Sequence, residues 1–270
     1  MKEKESDLQD VVTVFRKTSY ISAADCNAQQ ELGVSMLVQK LIDVATEHAN
    51  ILGIGNPNMP EPGMGWVLSR LSIEMRRWPH ENTEYTISTW VEDWNRHFSR
   101  RAFSIQDTNG EVLGYARSIW MVLNTTDRSN AGLSGLNFNK EWISDLPCPI
   151  AMQEKHQKIE SKPDAPLYRF KYCDIDFYRH VNTVRYADLL LNQFDMETYD
   201  RNHIERFELS FLHEACYGME IRIISEPSQS TPLLYRFSLE DCSSGQPILY
   251  ARIRFAPRPA RPENELINQP

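Results

Sequence analysis

Phe103-Ser104 recurs as Phe237-Ser238, Asp107 as Asp241, Gly110 as Gly245, and Tyr115-Ala116-Arg117 as Tyr250-Ala251-Arg252. The offset is 134 residues before the glycine and 135 after it. Each copy reads as strand, turn, strand. Alternating apolar residues lead into Asp107-Thr108-Asn109-Gly110 or Asp241-Cys242-Ser243-Ser244-Gly245, and alternation then resumes. Two half-chains with matching elements imply duplication of one domain.

The pattern around the repeats fills in each half. The first opens with a strand over 11–23 and a helix over 34–52. In that helix Val34, Leu37, Val38, Leu41, Ile42, Ala45, Ala49 and Leu52 recur at helical spacing, and Gly53 suits the stop. Long strands follow at 66–75, 84–94, 101–108 and 112–123. The second half repeats the scheme. It has a strand at 167–172, a helix over 181–194, and strands at 204–212, 220–225, 233–239 and 248–255. One helix followed by a long antiparallel sheet, twice over, predicts an α+β architecture with the helix buried in the sheet. The expected division is a first domain over 10–125, a polar, proline-bearing connector over 126–163, a second domain over 164–257, and a proline-rich tail over 258–270.

At 41% hydrophobic and 24% charged, 270 residues can bury a substantial core. No apolar run approaches the ~20 residues that span a bilayer, so no membrane insertion is expected. The charged start MKEKESDLQD lacks the apolar stretch of a secretory signal, which makes the cytoplasm the expected location. A net charge of −8 disfavours generic nucleic-acid binding. Basic residues nonetheless cluster locally at Arg70, Arg76 and Arg77 and at Arg96, Arg100 and Arg101. These either dock an acidic partner or are solvated strand-face charges. Five widely spaced cysteines with no C-x-x-C pair argue for reduced thiols rather than a disulfide framework or a zinc site.

The stretch that carries chemistry is 172–186. Asp174 and Asp176 precede His180 in a turn-like run, and a helical apolar pattern then begins at once. An imidazole titrates near neutral pH. The free backbone N–H groups of a helix start can hold a developing oxyanion. Taken alone, such a histidine reads as a helix-capping group, and Asp176 as an N-terminal cap.

This run resembles the signature Asp-x-Asn-x-His-Val-Asn-Asn of the acyl–acyl carrier protein (acyl-ACP) thioesterases, bacterial type. Asp176, His180, Val181 and Asn182 match it, while Tyr178 stands at the family's first asparagine and Thr183 at its last. The likeness continues in Trp66-Val67-Leu68-Ser69-Arg70, in the run from Trp94 to Arg101, and in Phe211-Leu212-His213-Glu214-Ala215, in the family's order over roughly 12–256.

The resemblance implies a tandem (double) hot dog fold, with the first half lining the acyl chain and the second holding the chemistry. It implies hydrolysis of fatty acyl-ACP to free fatty acid and carrier, with no metal and no redox cofactor. His180 and Glu214 would activate water, or Glu214 would attack the thioester carbonyl directly. Asp176 would orient the imidazole, polarise water or bond the helix start. Asn182 would cap the helix or face the substrate. Tyr178 offers a hydroxyl where the family has an amide, so the hydroxyl substitutes, Asn182 holds the water, or activity falls. Many plant members carry a cysteine directly after the glutamate. Here that position is Ala215, and Cys216 comes one residue later, on the opposite strand face.

Met64, Trp66, Leu68 and Ile73 are the candidate acyl-chain contacts. Arg96, Arg100 and Arg101 are the candidate docking residues for acyl carrier protein with its phosphopantetheine-linked substrate. Either a monomer or a homodimer fits a chain that is already a pseudo-dimer. The rival readings are an acyl-CoA thioesterase of the same fold, and a non-catalytic acyl or carrier-binding module in which Tyr178 has abolished turnover. A hot dog dehydratase has only fold resemblance behind it.

Overall fold

A computed structural model of the protein describes residues 12–124, 129–136, 138–156, 158–160 and 162–258. Of the expected tail, only Arg258 is among them. The first half contains β1 (Val14–Tyr20), α1 (Val34–Ile51), β2 (Met64–Met75), β3 (Glu84–Trp94), β4 (Ser99–Asp107) and β5 (Val112–Asn124). The second contains β6 (Leu167–Arg169), α2 (Thr183–Leu191), α3 (Met196–Arg201), β7 (Asn202–Phe211), β8 (Glu220–Pro227), β9 (Leu234–Asp241) and β10 (Pro247–Pro257).

The ten strands form one antiparallel sheet in the order β1-β3-β4-β5-β2-β7-β10-β9-β8-β6. Read inward from either edge, equivalent strands appear in the same sequence. The internal repeat is the inner hairpin of each half: Phe103 pairs with Ala116 across β4 and β5 as Phe237 pairs with Ala251 across β9 and β10. All four side chains are at most 1% exposed. Each half wraps its strands round one helix, giving the double hot dog architecture.

Helix α1 forms where the apolar spacing places it. It buries Val34, Leu37, Val38, Leu41, Val44, Ala45 and His48 on one face. Gly53 at φ 72° ends it. Helix α2 is shorter than its apolar pattern predicts. Asn182 caps it, its side chain accepting from Val184 N–H, and the chain leaves the helix at Asn192 before a further turn, α3. The two helices touch each other, and residues of both halves merge into one hydrophobic core.

The halves join where β2 runs beside β7, with Arg70, Leu71, Ser72, Ile73 and Glu74 opposite Ser210, Leu209, Glu208, Phe207 and Arg206. The connector is pinned across this seam on the side away from the helices. Gln153 Nε2 donates to the Leu71 and Leu209 carbonyls, at 2.8 and 3.0 Å, and Ile150 and Ile159 are buried. Arg117 on β5 donates to the carbonyls of Cys148 and Ile150.

Close strand approach fixes one glycine. A Cβ added at Gly114 on β5 would lie 2.5 Å from the Glu74 carbonyl oxygen and 2.3 Å from Met75 Sδ on β2. The obstacle includes backbone, so β2 and β5 must separate. We expect Gly114→Ala to cost about 1–3 kcal/mol, read as a lower urea midpoint with an unchanged slope.

Candidate active site

The run 171–182 folds as a tight turn before α2. A short 3-10 segment (Tyr172–Asp174) is held by Asp174, whose buried carboxylate accepts from Lys171 N–H at 2.7 Å and Tyr168 Oη at 2.9 Å. Asp176 then organises the turn that presents the histidine. Its Oδ1 accepts the backbone N–H groups of Tyr178 (2.9 Å) and His180 (3.1 Å), and its own N–H donates to the His180 carbonyl (2.8 Å). Arg179 sits at φ 70° to close it.

The segment after β7 reaches this turn by a short ladder. Val181 N–H donates to the Ala215 carbonyl, and His180 bridges to Cys216. That register places Glu214, three residues past the end of β7, beside the histidine. His180 Nε2 lies 3.7 Å from Glu214 Oε2, with the side chains 18% and 33% exposed. An imidazole and a carboxylate at that spacing, both reachable from solvent, can share a proton and polarise a water. Asn182, as the cap of α2, holds the start of the helix open beside them.

The first half carries the same backbone turn with other side chains. Asn27 takes the place of Asp176, its Oδ1 accepting from Gln29 and Glu31 N–H at 3.0 and 3.1 Å. Gln30 repeats the positive φ at 63°. Leu32 N–H donates to the Pro79 carbonyl as Val181 does to Ala215. Glu31 therefore occupies the position of His180, and Trp78 that of Glu214. Glu31 is buried in a two-pronged ion pair with Arg258, at 2.5 and 2.8 Å. A hollow of about 420 Å³ lies beside this turn.

An apolar cavity of about 240 Å³ adjoins the turn before α2 at Phe177 and Tyr178. Ile42, Ala45 and Ala49 of α1, with Ile54, Trp66, Trp120 and Phe138, supply its hydrocarbon wall, and Phe177 and Tyr178 reach it from the second half. Tyr178 Oη accepts from Asn56 Nδ2 at 2.8 Å, which ties this turn to the first half. Burial, and then Asp176, raise the pKa of the Tyr178 phenol.

Of the four expected chain contacts, Trp66 lines the cavity. Met64 packs instead in a small cluster with Val122, Leu133 and Leu136, and Leu68 rests against the main core. Ile73, 1% exposed, belongs to the core beside the β2–β7 seam. A bulge between Leu68 and Arg70 shifts the strand's alternation, so both segments of β2 face inward but onto different neighbours.

The expected docking arginines also divide. Arg96 is exposed near the β3–β4 hairpin, and Arg100 is partly covered, 3.7 Å from Asp93. Arg101 is not a surface residue. It is 5% exposed and lines the cavity. Its Nη1 donates to His48 Nδ1 at 2.7 Å, and the other ring nitrogen of His48 donates to the Val12 carbonyl at 2.7 Å. Alternation along β4 puts successive arginines on opposite faces, so one of the pair had to turn inward. Burial draws the Arg101 pKa down to about 10, which leaves it charged at neutral pH.

Burial, and then the Arg101 charge, push His48 down to about 4. The unfolded chain, with an ordinary histidine pKa, therefore binds this proton first as pH falls. Stability is full above about pH 6.5 and declines from there to about 4, by on the order of 3 kcal/mol from this group. Urea midpoints at pH 7 and pH 5 should differ in this sense, and His48→Gln should flatten the dependence.

Among the described residues no cluster of three or more His, Cys, Asp or Glu side chains could hold a metal ion, and no helix is long and apolar enough to cross a membrane.

The family model described as the acyl-ACP thioesterase N-terminal domain matches residues 12–133, and that of the C-terminal domain matches 156–257. An acyl-ACP thioesterase from Bacteroides thetaiotaomicron superposes with a TM-score of 0.83 at 28% identity, covering 90% of this chain and 98% of that one. The 12:0-ACP thioesterase from Umbellularia californica, at 20% identity, gives 0.77 over 91% of this chain and 95% of its own, a likeness of fold. The chloroplastic palmitoyl-acyl carrier protein thioesterase of Cuphea hookeriana is 23% identical over 214 residues, which is 74% of this chain and 52% of that protein. The chain thus spans about half the length of the curated relatives it matches. With both domain models matched in order over most of its length, the chain belongs to the acyl-ACP thioesterase family.

Proposed function

We propose that this chain hydrolyses the thioester of fatty acyl-acyl carrier protein in the cytoplasm, releasing free fatty acid and carrier thiol and so ending chain elongation. One observation carries the reading. The His180–Glu214 pair, 3.7 Å apart, stands at the start of α2 in a turn that also borders an apolar cavity. The acyl chain occupies the cavity of the first half (10–125), and the second half (164–257) performs the reaction. Arg96 and Arg100 meet the carrier at the protein surface.

His180 and Glu214 take a proton from water as its oxygen bonds to the thioester carbonyl carbon. Charge developing on the carbonyl oxygen faces the N-terminal end of α2. The C–S bond then breaks, and the proton passes to the departing sulfur. Asp176 keeps the histidine in place through the backbone of its turn, and Tyr178, held by Asn56, closes one side of the chain's path.

The test is fatty acid release from acyl carrier protein thioesters of increasing chain length, with the matching CoA thioesters alongside. Faster turnover of the carrier substrates is expected. Faster turnover of the CoA substrates would make this a CoA thioesterase. Tight carrier binding with no release would make it a binding module.

A further inference from the structure

The cavity wall holds one group that an alkyl chain cannot satisfy. Ile42, Ala45, Ala49, Ile54, Trp66 and Trp120 would suit hydrocarbon, yet Arg101 sits among them, 5% exposed. The other well-buried arginines each face a carboxylate: Arg117 faces Glu92, Arg206 faces Glu74 and Glu208, Arg252 faces Glu154 and Glu208, and Arg258 faces Glu31. Among the described residues Arg101 has no such partner. Its recorded bonds run from Nη1, to His48 Nδ1 and, at 3.4 Å, to Thr89 Oγ1. His48 accepts that bond through its neutral ring and supplies no counter-charge. The rest of the guanidinium fork is left for whatever fills the cavity, with the hydroxyl-bearing Thr46 and Ser99 on the same wall.

We propose that Arg101 makes this cavity selective for acyl chains bearing an oxygen acceptor, whether hydroxyl, carbonyl or carboxylate, over plain saturated chains. A saturated chain would displace water from the guanidinium and leave the charge against hydrocarbon, which is costly. A chain oxygen would instead accept a charge-assisted hydrogen bond. A site built to meet a polar group discriminates far more strongly than one that merely fits a methylene.

This inference rests on the thioesterase reading for one of its two readouts. The first is kcat/KM of the wild-type chain on carrier thioesters of equal length: saturated, 3-hydroxy, ω-hydroxy and ω-carboxy. At least one oxygenated substrate is expected to exceed the saturated one by about ten- to a hundredfold, and the favoured one locates the oxygen along the chain. In Arg101→Met that ratio should collapse towards unity, and Arg101→Lys should restore part of it. A saturated substrate that matches or beats all three oxygenated ones in the wild type overturns the proposal, whether or not the variants fold. The second readout needs no turnover. A fluorescent fatty acid bound to the full chain is displaced by the methyl ester of a saturated acid or by those of its 3-hydroxy and ω-hydroxy counterparts. Equal displacement by all three counts against Arg101 recognition. Absence of His180-dependent hydrolysis with unequal displacement would instead refute the thioesterase reading and leave the selectivity standing.

Discussion

Replacing His180 with alanine is expected to reduce turnover of an acyl-carrier thioester by about a hundred- to ten-thousandfold, while the circular dichroism spectrum stays that of the parent. The turn that holds His180 is built from backbone bonds and the Asp176 carboxylate, so it does not depend on the imidazole. The side chain is 18% exposed, and truncating it opens no sealed core cavity. Glu214→Gln keeps the volume and removes the charge 3.7 Å from the ring, and a loss of similar order is expected. If the two act as one proton-handling unit, the double variant should lose little more than either single one. Turnover near the parent's in both single variants would remove the pair from the mechanism.

The largest stability effect is expected from Phe207→Ala. Phe207 is completely buried on β7 and sits opposite Ile73 of β2, at the strand pair that joins the halves. Truncating a buried phenylalanine costs about 3–5 kcal/mol, because the surroundings collapse only in part. That is a large share of the roughly 5–15 kcal/mol that hold a typical native fold together. Because one core runs through both halves, calorimetry should show a single transition shifted downward as a whole. Two separated transitions, with only one shifted, would mean that the halves melt independently.

The sequence disclosed local order well and lateral placement poorly. The apolar spacing located α1 almost to the residue, and the reading of the strands placed β3 at Glu84–Trp94. Asp176 and His180 were legible because they are four apart within one turn. Glu214 lies 34 residues further on and was reached only through resemblance, since the ladder from Val181 to Ala215 is a tertiary event. The same limit hid the inward face of Arg101. Both adjacent arginines were read as surface groups, because which of them is buried depends on which face of β4 meets His48. Asn56 gave no signal at all. Its value comes from Tyr178, on the other half of the molecule. The twin turn of the first half was visible in principle, as Asp25, Asn27 and Gly33 ahead of a helix, but two exchanged side chains conceal it.

That twin turn bears on how such a chain can change over generations. In a symmetric pair of identical subunits every substitution appears twice, so neither copy can abandon a function that the other retains. Here the two turns are encoded separately. The first has a carboxylate locked to Arg258 where the second has an imidazole, and the indole of Trp78 where the second has a carboxylate, on matching backbone bonds. A substitution in one turn therefore leaves the other untouched, so the first turn can vary to serve packing, ligand discrimination or assembly without altering the His180–Glu214 pair.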